Sequence, residues 1–320
     1  MNDDNSLPLV TVRALAYNHA PYIRKCLDGF IMQKTDFKFE VIVHDDCSTD
    51  GTIEILKEYA AKYPDIIKPI FEIENQWNKY DGTIGRIMNK YTKGKYIAWC
   101  ECDDYWIDPY KLQKQVDILE NNPDVQLVYT GFQTVDEKGN AIQIPYYIRN
   151  AKKSRSGKQF SKLICSNYIQ TLTVCGRHSM KLDEESINSP GADYDWSIFL
   201  YASLKGDLFY LKDITGCYRI NPNGMMISKA KQTTNAMKTI FEYYATLYND
   251  KYASNDDWSE CMITKYTIAL RALDIFKKDK KLMNEFFKKN KIYIFYALLA
   301  FPHFFCQLIG KLFKKFISWK

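Results

Sequence analysis

A cluster of acids directly after an apolar run constrains the fold of this chain more than any other feature. Residues 95–100 (KYIAWC) have the composition of a β-strand, and Glu101, Asp103 and Asp104 follow at once. A strand interior avoids such a cluster, because like charges repel and a buried, unpaired charge is costly. At the carboxyl end of a strand in an open α/β sheet, the same acids line a ligand crevice. The stretch therefore predicts an α/β sheet with an acidic site at one edge.

The same acids predict the kind of ligand that the site holds. Carboxylate oxygens suit Mg²⁺ or Mn²⁺, and Mg²⁺ usually binds together with substrate phosphates. We therefore expect a metal ion that holds a phosphorylated substrate. Cys100 and Cys102 flank Glu101 and are ligands for softer metals. A zinc site is nevertheless disfavoured, because no second pair of Cys or His residues lies nearby in the sequence.

Two earlier apolar runs end in polar turns of the same kind. Residues 39–44 lead directly into Asp45 and Asp46, and a helical pattern follows. Upstream, residues 10–16 have the composition of a first strand, and Pro21 suits the first position of the next helix. Three strand ends, each followed by a helix and each carrying polar groups, predict one shared site.

The remainder of the first half continues this alternation, which is the pattern of a mainly parallel sheet. Strands are predicted near residues 9–16, 39–44, 66–73, 95–100 and 125–133, and helices near 21–33, 52–62, 81–92 and 109–121. From about residue 229 the segments 229–249 and 257–277 carry apolar residues at helical spacing, without internal Pro or Gly. The sequence thus predicts an α/β domain with a helical C-terminal extension.

The segments at the three strand ends closely resemble the motifs of family 2 glycosyltransferases. The matching segments are residues 17–18 (YN), 45–52 (DDCSTDGT) and 101–104 (ECDD), in the family's order. The resemblance extends from about residue 7 to residue 220, and it implies a GT-A fold and an inverting reaction. The chain departs from the family pattern in three places: Cys47 replaces a Gly, Glu101 replaces an Asp, and Leu15-Ala16 replace Pro-Thr.

The resemblance also implies roles for individual residues. Asp103 and Asp104, together with Glu101, are expected to hold Mg²⁺ or Mn²⁺ at the diphosphate of a nucleotide sugar. The residues expected to contact that donor are Ala16, Tyr17, Asn18, Asp45, Asp46, Arg86, Asp103 and Arg219.

The catalytic base is expected just before an amphipathic helix near residues 195–204. Asp193 matches the Asp of a Glu-Asp element whose Asp serves as base in the family, although Ala192 occupies the Glu position. Asp195 is the rival candidate. Either acid could instead be an N-cap or a first-turn partner of the helix dipole.

Residues 149–158 form a basic, polar loop with two interpretations. It is either a solvated loop or a mobile loop over the donor phosphates or the acceptor.

Positive charge is concentrated at the C-terminus. No acid follows Glu285, whereas seven lysines do, so the body of the chain is close to neutral and a nucleic-acid-binding surface is disfavoured. Residues 292–310 contain no Asp, Glu, Lys or Arg, but Pro302 and His303 interrupt them. We expect residues 292–320 to lie on or dip into the cytoplasmic leaflet as an interfacial segment. The alternative is a helix packed on the catalytic domain or on an oligomer partner.

Together these observations predict an organisation in three regions. A GT-A catalytic domain occupies residues 1–225, with a nucleotide-sugar half at about 7–105 and an acceptor half at about 106–225. A helical extension at 226–290 and a membrane-associating tail at 291–320 follow. The polar N-terminus shows no signal peptide, so the expected location is the inner face of the plasma membrane.

The predicted activity is an inverting, metal-dependent glycosyltransferase. It moves a sugar from a nucleotide sugar, with UDP favoured, to a hydroxyl of a glycan or lipid-linked oligosaccharide in surface polysaccharide synthesis. Two alternatives remain: an inactive GT-A domain that acts as a membrane-bound partner in an assembly complex, and a nucleotidyltransferase. The second is disfavoured because no Gly-rich, basic phosphate loop follows the first strand. The sequence leaves the oligomeric state open.

Overall fold

One eight-stranded sheet organises the part of the chain that the structure describes. This computed structural model describes residues 7–79, 81–180, 194–221, 230–276 and 279–300. The strands are β1 Val10–Ala16, β2 Phe39–Asp45, β3 Ile67–Phe71, β4 Tyr96–Trp99, β5 Tyr105–Trp106, β6 Val125–Val135, β7 Cys175–Arg177 and β8 Asp207–Arg219. Their order across the sheet is β3-β2-β1-β4-β7-β6-β8-β5.

Helices connect and flank these strands. They are α1 Ile23–Ile31, α2 Thr52–Lys62, α3 Thr83–Tyr91, α4 Lys111–Asn121, α5 Pro145–Ala151, α6 Phe160–Leu163, α7 Asp195–Lys205, α8 Ala230–Leu247, α9 Trp258–Phe276, α10 Lys280–Lys289 and α11 Ile292–Ala300. The predicted strands and helices up to residue 135 are all present, with ends that differ by at most two residues. The predicted mixed α/β architecture is confirmed.

The two halves of the sheet differ in strand direction. β1 is parallel to both β2 and β4, and β2 is parallel to β3. β7 is antiparallel to β4 and β6, β6 is parallel to β8, and β5 is antiparallel to β8. The parallel half brings the carboxyl ends of β1, β2 and β4 to one edge, and the β5–β8 pair brings the chain after β8 to the same region.

The register of the central strands positions the predicted motifs. Ala16 at the end of β1 lies opposite Asp45 at the end of β2. After β4 the chain continues along β1, because the N–H of Cys102 donates to the carbonyl of Leu15 at 3.0 Å. The segment that contains Asp103 therefore lies beside the turn that follows β1.

The pattern of buried residues explains why β1 sits in the middle of the sheet. Val10, Val12 and Ala14 alternate onto one face and are fully buried, where they join a core that includes Leu27 and Phe30 of α1. Thr11 and Arg13, on the opposite face of β1, are buried too. β1 is thus covered on both faces, as expected for a central strand of a parallel α/β sheet.

The chain divides into two compact units. The first comprises residues 1–159 and 168–236 and contains the sheet, and the second comprises residues 160–167 and 237–320. The described residues from 237 onward are mainly helical, as the sequence predicted for the C-terminal extension. Within it, the ring of Phe286 lies 5.7 Å from that of Phe241 and 5.5 Å from that of Phe276, measured between centroids.

The beginning of the predicted tail is a helix of the second unit. Tyr293 in α11 is buried, its hydroxyl donates to the carbonyl of Ala245 at 2.6 Å, and its ring stacks on Phe286. Residues 301–320 lie outside the described residues. Among the helices that are described, none has the combination of length and apolarity that is needed to cross a bilayer. Membrane association stays a prediction.

Candidate active site

The turns after β1 and β2 are tied together by hydrogen bonds. The N–H of Asp46 donates to the carbonyl of Ala16 at 2.9 Å, and the N–H of Asn18 donates to Oγ of Ser48 at 2.9 Å. In return, the N–H of Thr49 donates to Oδ1 of Asn18 at 2.9 Å. The predicted donor contacts Ala16, Tyr17 and Asn18 therefore lie beside the turn that follows Asp46. The side chain of Tyr17 is exposed.

Cys47 adopts a backbone conformation that explains the glycine of the family pattern. Its φ is +68°, in the left-handed region that L-residues disfavour. Such a conformation costs a non-glycine residue about 1–2 kcal/mol, whereas glycine adopts it freely. The departure at Cys47 thus places backbone strain in this turn.

Asp45 and Asp46 have different environments. Asp46 accepts the N–H groups of Gln76 at 2.6 Å and Trp77 at 3.1 Å, one on each carboxylate oxygen. Asp45 accepts the N–H of Ser48 on Oδ1 at 2.9 Å, and no described residue donates to its buried Oδ2. An unsatisfied buried acceptor is rare and costly, so this oxygen marks a place for a ligand N–H or O–H.

The predicted metal motif forms a turn in which Asp104 is buried and Glu101 is half-buried. The N–H of Asp104 donates to the carbonyl of Glu101 at 3.0 Å, and the Asp104 carboxylate accepts the N–H of Arg219 at 2.7 Å. Burial raises the pKa of Glu101 and of Asp104 well above the ordinary range, and the negative charge of Asp103 adds to both shifts. Among the described residues, none donates a hydrogen bond to the Asp103 carboxylate.

Arg219 holds the turn of the metal motif in place. Its Nε donates to the carbonyl of Asp103 at 2.7 Å, and Nη1 donates to the carbonyls of Asp136 at 3.1 Å and Glu137 at 2.7 Å. The guanidinium also lies over the ring of Tyr22, 4.7 Å from its centroid. These contacts make Arg219 a positioning residue in this structure. Its predicted contact with a diphosphate stays a prediction.

Arg86 lies at the start of α3 and is engaged locally. Its Nη1 donates to the carbonyl of Asp81 at 2.8 Å, and Nη2 donates to the hydroxyl of Thr83 at 2.9 Å. The side chain is exposed, so a donor contact would require it to leave these partners. The structure does not bring Arg86 into the acidic cluster.

Of the two candidate bases, Asp195 is described and Asp193 lies outside the described residues. Asp195 is the first residue of α7, and the hydroxyl of Thr171 donates to its Oδ2. Burial raises the pKa of Asp195, and the negative charge of Asp195 in turn raises the pKa of Glu101. The structure therefore places Asp195 next to the acidic cluster.

Two neighbours of the cluster were not predicted as functional residues. Thr171 lies 24 residues before Asp195, and no sequence pattern links the two. His19 follows the turn after β1, and its Nδ1 is buried without a partner among the described residues. Burial lowers the pKa of His19, but its contact with Cys102 and the charge of Asp103 outweigh this and raise the pKa overall.

The acidic cluster fits a hard divalent cation that brings some of its own ligands. Its donor atoms are carboxylate oxygens of Glu101, Asp103 and Asp104, and a cation would relieve the repulsion that adds to the effect of burial on the pKa values of Glu101 and Asp104. In the described ranges, however, no three Asp, Glu, His or Cys side chains converge into a metal site by themselves. A bound Mg²⁺ or Mn²⁺ would then take further oxygens from a substrate diphosphate.

Comparisons with known proteins point to one family. The sequence model described as "Glycosyl transferase family 2" matches residues 12–181. An uncharacterized protein of Mycobacterium tuberculosis is 32% identical over 228 residues, which cover 68% of this chain and 60% of that protein. Chondroitin synthase of Escherichia coli is 29% identical over 266 residues, 82% of this chain and 36% of that protein. The chain thus spans about 60% of the length of its mycobacterial relative.

Solved structures share the fold. TarS of S. aureus, in complex with UDP-GlcNAc, has a TM-score of 0.55 at 16% identity and covers 89% of this chain and 88% of its own. The mannosyltransferase PcManGT of Pyrobaculum calidifontis, in complex with GDP-Man and Mn²⁺, has a TM-score of 0.54 at 17% identity and covers 89% and 80%. At these identities the likeness shows the fold alone, and it confirms the predicted GT-A architecture.

Proposed function

The chain belongs to glycosyl transferase family 2, and on that premise we propose that it transfers a sugar from a nucleotide sugar to an acceptor hydroxyl with inversion at the anomeric carbon. One observation carries the proposal. The acidic turn with Asp103 and Asp104, the carboxylate of Asp195 and the turn with Asp45 are brought together by elements that are far apart in the sequence.

The nucleotide is proposed to bind at the turns after β1 and β2. The unsatisfied Oδ2 of Asp45 would accept a hydrogen bond from the base or the ribose, and Tyr17 is exposed beside it. TarS was solved with UDP-GlcNAc and PcManGT with GDP-Man, which supports a nucleotide-sugar donor. We favour a UDP-sugar and leave the sugar itself open.

The leaving diphosphate is proposed to lie at the acidic turn. Asp103, with Asp104 and Glu101 beside it, would hold Mg²⁺ or Mn²⁺, and such an ion neutralises charge that develops on a leaving phosphate oxygen. PcManGT binds Mn²⁺ together with its nucleotide sugar, which supports the choice of metal. Arg219 would act by fixing the backbone of this turn.

A carboxylate is proposed to remove the proton of the acceptor hydroxyl. The hydroxyl oxygen then bonds to the anomeric carbon from the face opposite the diphosphate, and the anomeric carbon–oxygen bond to the diphosphate breaks. Asp193 and Asp195 are the candidates. The position of Asp195 near Glu101 supports Asp195 as the general base. Its raised pKa brings this carboxyl closer to the working pH of a general base.

The acceptor and the location of the protein complete the proposal. A relative named chondroitin synthase supports a glycan as acceptor, and a lipid-linked oligosaccharide of surface polysaccharide synthesis is the form that we favour. We propose that the basic tail keeps the enzyme on the inner face of the plasma membrane.

A thermal-shift screen of nucleotide sugars with and without Mn²⁺ tests the donor. Binding to the native state at a hundredfold excess over Kd stabilises by about 2.7 kcal/mol. Donor hydrolysis is then measured for the wild type, for Asp103→Asn and for the wild type in EDTA. We expect turnover for the metal-loaded wild type alone. Full turnover in EDTA would contradict the proposed metal dependence. Donor binding without turnover or transfer would indicate an inactive GT-A domain instead.

A further inference from the structure

A cavity of about 220 Å³ lies in the first unit, on the side of the sheet formed by β6 and β8. Its walls carry four aromatic side chains, which are Tyr129, Phe132, Tyr168 and Tyr210. The ring of Tyr129 lies 5.1 Å from that of Tyr210 and 6.4 Å from that of Tyr168, measured between centroids. Ligand sites are typically concave and aromatic with a few polar groups, and this cavity has that composition.

Residues 149–158, predicted as a loop, comprise the end of α5 and the loop after it, and they form one wall of the cavity through Ala151 and Ser154. The hydroxyl of Tyr129 donates to the carbonyl of Arg155 and accepts its N–H, both at 2.9 Å. Gly157 exchanges two backbone hydrogen bonds with Leu208 of β8, at 2.8 and 3.1 Å. These hydrogen bonds hold the loop against the sheet, so the loop is an ordered part of the cavity wall and is not purely solvated.

Two polar side chains on the cavity wall have no partner in the described part of the chain. Gln170 and Lys212 both line the cavity, and neither side chain makes a hydrogen bond or an ion pair to a described residue. The acid next to Lys212 is already engaged, since Asp213 pairs with Lys114 at 2.5 Å. Both groups are therefore available to a ligand.

The segment that contributes Ala151 and Ser154 to the cavity wall is basic in sequence, and Lys212 is the charged residue among those that line the cavity. No Asp or Glu occurs between Glu137 and Asp183, whereas the loop contributes Arg149, Lys152, Lys153, Arg155 and Lys158. Lys212 adds a further positive charge at the cavity itself. A positive side chain at a concave surface attracts ligands of the opposite sign, so an anionic ligand is favoured.

One residue of the cavity wall is adjacent in the chain to the hydrogen-bond partner of the candidate base Asp195. Gln170 directly precedes Thr171, whose hydroxyl donates to Asp195. The volume of the cavity suits a single sugar ring. A cavity of about 150 Å³ holds benzene, so about 220 Å³ leaves room for a six-membered ring with its substituents. Aromatic rings pack on the C–H face of a pyranose, an amide binds its hydroxyls, and an ammonium binds an acidic group.

We propose that this cavity binds an acidic sugar residue of the acceptor glycan, with Lys212 recognising its carboxylate or phosphate and Gln170 a ring hydroxyl. The proposal rests on the proposed glycosyl transfer and specifies its acceptor. It makes Lys212 a specificity-determining residue, because a neutral sugar would leave the ammonium without a counter-charge.

Saturation-transfer NMR on the full-length protein tests the proposal with three probes. Methyl β-glucuronide and methyl glucoside 6-phosphate carry the two kinds of acidic group, and methyl β-glucoside is the neutral reference. We expect at least one acidic probe to bind more tightly than the glucoside, and Lys212→Gln to weaken that probe about threefold to tenfold. Lys93→Gln, which changes an exposed lysine outside the cavity, is the matched control and should bind normally.

A second variant locates the probe without removing a native contact. Ala151 lines the cavity, so Ala151→Trp should fill it and abolish binding, whereas Ala61→Trp changes an exposed alanine of α2 and should not. Equal binding of all three probes, an unaffected Ala151→Trp variant, or no binding up to about 10 mM would overturn the proposal. Donor binding by the wild type is measured separately, so a protein that binds nucleotide sugar but none of these probes would refute this inference alone.

Discussion

Asp45 and Asp46 are adjacent in the chain, yet Asp46 uses both carboxylate oxygens to bind backbone N–H groups while Asp45 keeps a buried Oδ2 without a partner in the described residues. The first arrangement supports the fold, because it fixes the short 3₁₀ helix at Trp77–Lys79. The second costs stability and is explained by a ligand that supplies the missing donor. Two adjacent acids of one motif are thus assigned different roles.

This difference gives the first prediction. Asp46→Asn replaces an acceptor by an N–H₂ group that faces a backbone donor, so we expect it to lose about 2 kcal/mol of unfolding free energy. Asp45→Asn keeps an oxygen for Ser48 and should preserve stability while it weakens nucleotide binding. Urea unfolding and donor titration of both variants check this. Equal loss of stability in the two variants would contradict the assignment.

The second prediction concerns the contacts of Arg219. Arg219→Lys keeps the charge but loses the planar group that reaches three backbone carbonyls at once. We expect a loss of about 2–4 kcal/mol, because buried carbonyls lose their donors, and a higher Mn²⁺ concentration for half-maximal activity. Arg24→Lys is the control, since Arg24 pairs with Glu58 on the surface and its replacement should leave the unfolding midpoint unchanged. An Arg219→Lys variant with wild-type stability and metal response would show that the turn does not depend on these contacts.

The third prediction concerns the left-handed residue of the second turn. Cys47→Gly removes backbone strain in the folded state, although glycine gains entropy in the unfolded state, so we expect stability to stay equal or to rise by up to about 1 kcal/mol. Cys47→Val should lose more than about 1 kcal/mol, because a β-branched residue is poorly tolerated at positive φ. Urea midpoints of the two variants give the comparison. If the Val variant is as stable as the Gly variant, the proposed backbone strain at residue 47 is wrong.

Burial of Lys111 gives a prediction about pH. Its Nζ donates to Oε1 of Gln115 at 2.6 Å and lies 4.3 Å from the centroid of the Trp106 ring, and burial lowers its pKa to about 8. The unfolded chain therefore binds more protons than the folded chain between pH 8 and the ordinary lysine value. Stability contributed by this residue is absent below pH 8 and increases as pH rises through that window, by about 3 kcal/mol in all.

Lys111→Met removes the ionisable group and fills a similar volume. We expect the variant to be more stable than the wild type at pH 7 and to lose the part of the pH dependence that lies between about pH 8 and 10. Unfolding by urea at a series of pH values measures both effects. Parallel pH profiles for variant and wild type would contradict a lowered pKa of Lys111 in the folded state.

Particular residues show how far the sequence predicts this structure. Strands β1 and β2 are recognisable because apolar residues dominate both of them and turn residues mark their ends, with Asn18 and Pro21 after β1 and Asp45-Asp46 at the end of β2. β7 is different: it has three residues, Cys175–Arg177, and its place between β4 and β6 depends on antiparallel pairing with distant segments. Local periodicity carries no information about such pairing.

The candidate site follows the same division. Asp45, Asp103 and Asp195 could be predicted as site residues because acids at strand and helix ends are visible in the sequence. The roles of Asp46 and Arg219 could not, since their partners are backbone N–H and carbonyl groups that every residue carries. Only the folded chain shows which of those groups come within reach.

The last prediction separates the two candidate bases. Removal of a general base typically lowers kcat by 10²–10⁴-fold, so we expect Asp195→Asn to fall in that range with donor binding largely preserved. Thr171→Val should lower kcat less than Asp195→Asn does. It should also shift the acidic limb of the pH profile of kcat to higher pH, because the hydroxyl of Thr171 donates to the Asp195 carboxylate and favours its charged form. Asp193→Asn is measured in parallel, with donor affinity from thermal shifts and kcat from product formation. If Asp193→Asn is the inactive variant and Asp195→Asn retains activity, the base is Asp193 and Asp195 serves as the first-turn acid of α7.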